Sequence, residues 1–415
     1  MKKTISLILT CCLLFLFAGC GNSSAKKPAS PSSSSSSPSA SADASSADSS
    51  SKEQENETEK EKEDTVLNRT QSENSTAGNE NVNASVNSGA GKTESNNSDK
   101  NKTDTVNKER AVDKLTRGIN LSGPLEGAGD INYDSWIFKS EYYALLVDGG
   151  FDHVRIPVNF GNHIGEAPDY YIDTEFMRAV DIAVNNALEA GLVAVLDFHG
   201  WNGTLARDFD GNKECFYRIW EQVSKRYQTY PEELMFELIN EPNKPITDAQ
   251  LNELQLETVK RIRKLNPTRT IALATNENNG TWKLWNTQIP ANDDNLIISI
   301  HNYDTMAFTH QGADWLGDGY KNKIAFDDNI KSSVKKHIEQ CRYYEERTGR
   351  KVWISEWGVY QGIADKDDIS QYADYFSGIC RENKISYCYW EFCSGYGVYD
   401  INAGAWKEFL LDNLH

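Results

Sequence analysis

The sequence predicts an α/β protein of the (β/α)8 TIM-barrel class, carried behind an export signal and a long unstructured linker. Three observations predict it. From about Ala111 onward, short β-prone runs alternate with helix-periodic stretches, the pattern of a parallel sheet covered by helices. The alternation repeats eight times in about 300 residues, the length of one closed barrel. No glycine-rich GxGxxG turn follows the first run, which argues against an open doubly wound sheet.

The N-terminal quarter reads differently. Lys2 and Lys3, an apolar run from Ile5 to Phe17 and then Ala18-Gly19-Cys20 have the layout of a bacterial secretory signal, residues 1–20. The run is too short for a permanent membrane span. Leu16-Phe17-Ala18-Gly19-Cys20 resembles a lipobox, whose cysteine takes a lipid anchor, so the expected location is extracellular and tethered to the membrane through Cys20, with free secretion as the alternative. Residues 21–110 are mostly Ser, Asn, Glu, Lys, Thr and Ala, and no aromatic residue occurs between Phe17 and Tyr133. Such a stretch buries too little apolar surface to offset its ordering entropy and is expected to be a disordered tether, with an average reach of roughly 50 Å. The folded domain is then 111–415.

Strands are expected at Thr116–Asn120, His153–Pro157, Val193–Asp197, Leu234–Ile239, Thr270–Ala274, Leu296–His301, Val352–Ser355 and Ser386–Trp390. Asp173 caps a helix beginning at Thr174, whose Phe176, Val180, Ala183 and Ala187 fall on one face. Another helix runs from about Asp248 to Leu265 and stops before Asn266-Pro267. The formal net charge of −18 argues against nucleic acid and anionic surfaces as partners. Cysteines 215, 341, 380, 388 and 393 are odd in number and show no zinc or redox spacing. Nothing calls for a second subunit, and a monomer is expected.

In a closed barrel the functional residues sit where the strands end. Here the ends are polar and aromatic: Asn120, Arg155, His199, Asn240-Glu241, His301 with Tyr303, Glu356 with Trp357, and Trp390. Any one of these has a structural explanation, but a core has no use for carboxylates, imidazoles and indoles gathered at one rim. Leu234–Ile239 runs into Asn240-Glu241-Pro242, where proline stops the strand, and Val352–Ser355 runs into Glu356-Trp357-Gly358, where glycine lets the chain turn away. Two glutamates at one rim are what cleavage of a glycosidic bond requires. Glu237, four residues before Glu241 and deeper on the same face, is expected to pair with a basic or polar group inside the barrel. Trp201, Trp282, Trp285, Trp315, Trp357, Trp390 and Tyr396 lie in or near rim loops, where flat rings can stack on sugars; core packing is the competing role for each.

The chain from Thr116 onward resembles glycoside hydrolase family 5, the cellulase family. The motifs are Arg117-Gly118-Ile119-Asn120, Val154-Arg155-Ile156-Pro157, Asp197-Phe198-His199, Leu238-Ile239-Asn240-Glu241-Pro242, His301-Asn302-Tyr303, Ser355-Glu356-Trp357-Gly358 and Tyr389-Trp390-Glu391-Phe392. The stretch from Phe308 to Trp315 is similar to a branch containing endoglucanases, some of which accept mannan.

The resemblance implies Glu241 as general acid/base and Glu356 as nucleophile of a retaining hydrolase. It also implies Asn240 on the sugar 2-hydroxyl, Arg155 and Tyr303 fixing the nucleophile, His199 and His301 lining the cleaved-sugar subsite, and Trp390 stacking beneath that sugar. His310 and Trp315 would shape neighbouring subsites. The branch often has a second histidine where this chain has Gly200-Trp201, and Gly-Asn where it has Ser122-Gly123 ahead of Leu125-Glu126. These positions, with Glu126 counted among the substrate-binding residues, border the non-reducing subsites. The resemblance implies cellulose or a related β-glucan as substrate; the two departures leave mannan open beside it, with xyloglucan and mixed-linkage glucan as further alternatives and a non-catalytic carbohydrate-binding barrel as the alternative from another class. No metal or organic cofactor is expected.

Overall fold

The computed structural model describes residues 110–414; the signal and tether readings fall outside the described residues. Eight strands, β1 (Arg117–Asn120), β2 (His153–Val158), β3 (Val193–Phe198), β4 (Leu234–Glu237), β5 (Ile271–Ala274), β6 (Leu296–His301), β7 (Val352–Glu356) and β8 (Ser386–Tyr389), pair in parallel in that order. β8 then pairs with β1 and closes the barrel. Each strand lies within two residues of its expected bounds. Their residues are buried almost without exception, because helices cover the outside and packed side chains fill the inside.

The helix Thr174–Glu189 is capped by Asp173, which accepts from the Phe176 amide, and it buries Phe176, Val180, Ala183 and Ala187 against the barrel. The helix Asp248–Arg263 opens with a reciprocal Thr247/Gln250 capping box. Long helices also cover the barrel at Phe209–Arg226, Asp328–Thr348 and Lys366–Asn383. The expected regular alternation fails at two points. Between β5 and β6 stand only short turns, Asn276–Asn279 and the 3-10 helix Thr281–Asn286, and the last helix, Glu408–Leu411, is a single turn. Left-handed backbone at Glu277, Asn278 and Asn279 excludes a regular helix in the β5–β6 connection.

The opposite end of the barrel from the strand tips is plugged. Ala111, Val112 and Leu115 of the entering chain pack with Val193, Met235 and Ile297 from the inner faces of the strands. Lys114 bonds Glu233 at 2.8 Å, and Arg110 reaches the Asp294 carbonyl. Both partners precede a strand, β4 and β6, so the chain enters through the floor. All five cysteines of the described residues are free, four of them buried.

Gly358 plays a different part from the turn expected of it. Its backbone is not left-handed, but a Cβ placed there would lie 2.3 Å from the Trp390 carbonyl oxygen. Glycine at this position lets the tips of β7 and β8 touch. Overpacking a well-filled contact costs typically 1–3 kcal/mol, so Gly358→Ala is expected to destabilise the domain by roughly that amount in denaturant unfolding.

Candidate active site

Arg155, fully buried on β2, organises the mouth of the barrel. Its guanidinium donates to Glu237 Oε2 at 2.6 Å, to Asn120 Oδ1 at 3.0 Å, to Glu356 Oε1 at 2.6 Å and to Asn240 Oδ1 at 2.8 Å. It also lies 3.0 Å from Asp197 Oδ2. Glu237 thus has the inward basic partner expected of it, and Ser299 Oγ bonds its other oxygen at 2.6 Å. Burial raises the pKa of Glu237, and Arg155 opposes that shift.

Around this hub the structure brings together the two glutamates. Glu356 takes Arg155 on one oxygen and the Tyr303 hydroxyl, at 3.0 Å, on the other. Desolvation raises the pKa of Tyr303 well above its ordinary value, so the phenol keeps its proton and donates. Glu241 keeps a quarter of its side chain exposed, and desolvation raises its pKa. A β-bulge at Ile300/His301 sets His301 beside Glu356 in the ladder. His301 Nδ1 lies 3.1 Å from Glu241 Oε1 and 3.5 Å from Glu356 Oε2. Burial lowers the His301 pKa to about 4, so it stands neutral between the two acids.

Acid oxygens of Glu241 and Glu356 and a ring nitrogen of His301 all lie within 4.8 Å of one another. By donor type this trio could hold a cation. However, a guanidinium already rests on Glu356, and its charge opposes a metal at the same carboxylate.

The remaining sequence-predicted residues surround this pair. His199 is fixed by Asp197 at 2.7 Å, approaches Asn240 at 3.5 Å and Glu126 at 3.9 Å, and stacks on Trp390 with centroids 5.8 Å apart. Glu126 accepts from the Gly123 amide in the β1 loop. His310 packs 5.0 Å from Tyr303, and burial lowers its pKa to about 4. Trp315 is not in direct ring contact with Tyr303 but is joined to it through Tyr360 at 4.8 Å and Tyr396 beyond. Two of the expected rim indoles are core residues instead. Trp357 lies flat on Phe376 at 3.9 Å behind the sheet, and Trp201 stacks on Phe198 at 5.5 Å.

Sequence reasoning missed the residues that aim Glu241. Its backbone is left-handed (φ 46°), a conformation that costs on the order of 1–3 kcal/mol for a residue with a side chain. Asn279 Oδ1 accepts its amide at 2.9 Å, and Asn202 Nδ2 donates to its carbonyl at 2.9 Å. Asn279 is itself held by Ser299 at 3.0 Å and sits at the end of a left-handed run, Glu277-Asn278-Asn279. The Asn-Glu-Asn-Asn-Gly composition was the available signal, since asparagine tolerates this backbone region. Asp197, quoted within a motif, also gained no role from sequence, although it orients both His199 and Arg155.

A model of the cellulase family (glycosyl hydrolase family 5) matches residues 116–395. The chain belongs to glycosyl hydrolase family 5. Endoglucanase H of Acetivibrio thermocellus is 30% identical over 285 residues, 68% of this chain. The chain spans only 30% of that relative's length. Among solved structures, endoglucanase Cel5A of Thermotoga maritima superposes with a TM-score of 0.69 at 33% identity, covering 72% of this chain and 97% of its own. Subunit Z of the clostridial cellulose synthase of Clostridioides difficile gives 0.68 at 30% identity, covering 72% and 99%.

Glu391, next to Trp390, is a second buried acid, bonded by the Ser122 and Ser394 hydroxyls. Burial and the nearby Glu126 push its pKa up to about 8. A carboxyl that holds its proton in the folded state and loses it in the unfolded one stabilises the fold below its unfolded pKa. That contribution disappears as pH rises toward 8. Denaturant unfolding is therefore expected to show stability falling between about pH 5 and pH 8, and Glu391→Gln to flatten that slope; an unchanged slope would remove Glu391 as its source.

Proposed function

We propose that this chain is a retaining endo-β-1,4-glucanase acting on cellulose or a related β-glucan by double displacement. One observation carries the reading: acid oxygens of Glu241 and Glu356 lie within 4.8 Å of each other, with Arg155 and Tyr303 both bonded to Glu356. Retaining hydrolysis uses carboxyl groups about 5–5.5 Å apart, whereas inversion leaves roughly 6.5–9.5 Å for a water.

In the first step the Glu241 carboxyl, whose hold on its proton desolvation strengthens, gives that proton to the leaving oxygen. A Glu356 oxygen attacks the anomeric carbon as the glycosidic bond breaks, forming a glycosyl-enzyme. Glu241, now a carboxylate, takes a proton from water, whose oxygen displaces Glu356 and releases the sugar with its configuration retained. Asn240 and His199 line the same mouth, placed to hold the sugar beside the nucleophile, and Trp390 offers a stacking face.

The named endoglucanase relatives support internal cleavage of a β-glucan, and the cellulose synthase neighbour supports cellulose itself as the glucan. The lipobox-like Leu16–Cys20 supports an extracellular enzyme tethered through Cys20. Labelled fatty acid is expected to enter the wild-type chain but not Cys20→Ala, and equal labelling would overturn the anchor.

The deciding experiment follows reducing ends and viscosity on carboxymethyl-cellulose, barley β-glucan, xyloglucan and glucomannan. A fast viscosity drop on the glucans is expected. Activity confined to mannan would move the substrate, and no activity on any polymer would favour the binding-protein alternative. Glu356→Gln is expected to remove nearly all turnover, by a factor of at least about 10⁴ in kcat. Glu241→Ala should spare aryl glycosides with good leaving groups in the first step, which need little protonation, while an equal loss on poor and good leaving groups would count against it as the acid.

A further inference from the structure

A line of buried oxygen atoms runs beneath the two glutamates. Glu237 Oε1 lies 2.6 Å from Ser299 Oγ, Ser299 Oγ lies 2.5 Å from Ser355 Oγ, and Ser355 Oγ lies 3.1 Å from the Ile300 carbonyl oxygen. All four residues are fully buried. Each contact needs one proton between its two oxygens. Ser299 and Ser355 own one hydroxyl proton each, and a carbonyl has none to give. Asn279 Nδ2, 3.0 Å from Ser299 Oγ, brings its own proton and takes up one of that hydroxyl's acceptor sites. The three contacts of the line therefore need a third proton, and Glu237 is the group that can carry it. Glu237 then donates to Ser299, Ser299 to Ser355, and Ser355 to Ile300. With Glu237 ionised, Ser299 has to donate to it, Ser355 turns to Ser299, and the Ile300 carbonyl is left without the Ser355 proton.

The charges around Glu237 favour its neutral form. From β2, Arg155 donates to Glu237 Oε2 at 2.6 Å and reaches Oε1 at 3.4 Å, but the same guanidinium bonds Glu356 of β7 and lies 3.0 Å from Asp197 of β3. From β8, the buried Cys388 thiol faces the group and keeps its proton, since burial raises its pKa well above the ordinary value. A proton on Glu237 brings this group of charges nearer to balance. Burial pushes the Glu237 pKa up to about 7, with Arg155 opposing the rise and Asp197 adding to it.

The line touches the mount of each residue at the mouth. Ser355 precedes Glu356, Ile300 precedes His301 at the β-bulge, and Asn279, bonded to Ser299, holds the Glu241 amide. We infer that Glu237 is a positioning residue that works as a neutral acid, its proton completing the line through Ser299 and Ser355 to Ile300 that fixes Glu356 and His301. Loss of that proton frees the Ile300 carbonyl and sets a further full charge in competition with Glu356 for Arg155. The inference rests on the two-glutamate hydrolase reading, which makes Glu356 the nucleophile.

The test follows kcat/KM against pH on an aryl β-cellobioside with a good leaving group. Such a substrate needs little protonation by Glu241, so its alkaline fall reports other groups of the free enzyme. Activity is present below the Glu237 pKa and lost as pH rises through it, so wild type is expected to fall about tenfold per pH unit above about pH 7. Glu237→Gln, whose amide donates to Ser299 and accepts from Arg155, is expected to hold the plateau within about threefold and extend it by at least about one pH unit, whereas Glu237→Ala loses the plateau. Ser355→Ala leaves the Ser299 proton free for an ionised Glu237, and is expected to move the fall to lower pH. Infrared spectra at about pH 5 are expected to show a neutral-carboxyl band that Glu237→Gln lacks. A Gln variant as impaired as the Ala variant, or the same band in both spectra, would overturn the inference. Where Glu237→Gln does not fold, infrared titration of wild type against Ser355→Ala decides: a lower pH of ionisation in Ser355→Ala supports the line, and an unchanged or higher one overturns it. A wild type that cleaves neither β-glucan nor the aryl cellobioside overturns the hydrolase reading instead, while the infrared band still reports the proton.

Discussion

The guanidinium of Arg155 is the contact on which the mouth of the barrel depends. It ties together β1 through Asn120, β3 through Asp197, β4 through Glu237 and Asn240, and β7 through Glu356. One cation faces three buried carboxyl groups. Removing any charge from water is expensive, and an excess of one sign in a low dielectric is more so. Desolvation raises the pKa of Glu237, which favours its neutral form and lowers the repulsion while Arg155 stays bonded to it. This arrangement contributes little net stability compared with apolar packing, but it fixes the position of Glu356.

Glu241 is held by different means. Glu241 sits past the end of its strand in a left-handed conformation, and two asparagines from neighbouring connections bond its amide and carbonyl. The turns between β5 and β6 replace the helix that a regular barrel would have there. The same connection carries the left-handed run and the Asn279 bond. The irregularity and the chemistry therefore share one segment.

Much of this was legible in the sequence. A closed parallel barrel converts strand ends into one rim, so residues far apart in the chain could be assigned to one place from local patterns alone. Arg155, Asn240, Glu241, His301, Tyr303 and Glu356 follow from that rule, and the fold sets them around one mouth. What escaped depends on through-space partners. Asn279 matters because it reaches the Glu241 amide across two connections, which no local pattern encodes. Trp357 could have been placed correctly, since side chains alternate along a strand and Glu356 already points to the mouth. Gly358 was misread because a glycine needed for close backbone approach looks the same in sequence as one needed for a turn.

The plugged floor has a consequence for how the enzyme can be joined to other things. Ala111, Val112 and Leu115 seal the end of the barrel opposite the glutamates, and Arg110 is pinned there to the loop before β6. A chain attached upstream of Arg110 starts from the far side of a closed, water-excluding stack of strands. A fusion partner or a bead joined at Arg110 leaves the opposite mouth unobstructed, and tension applied there is taken by the floor rather than by the loops that hold Glu241.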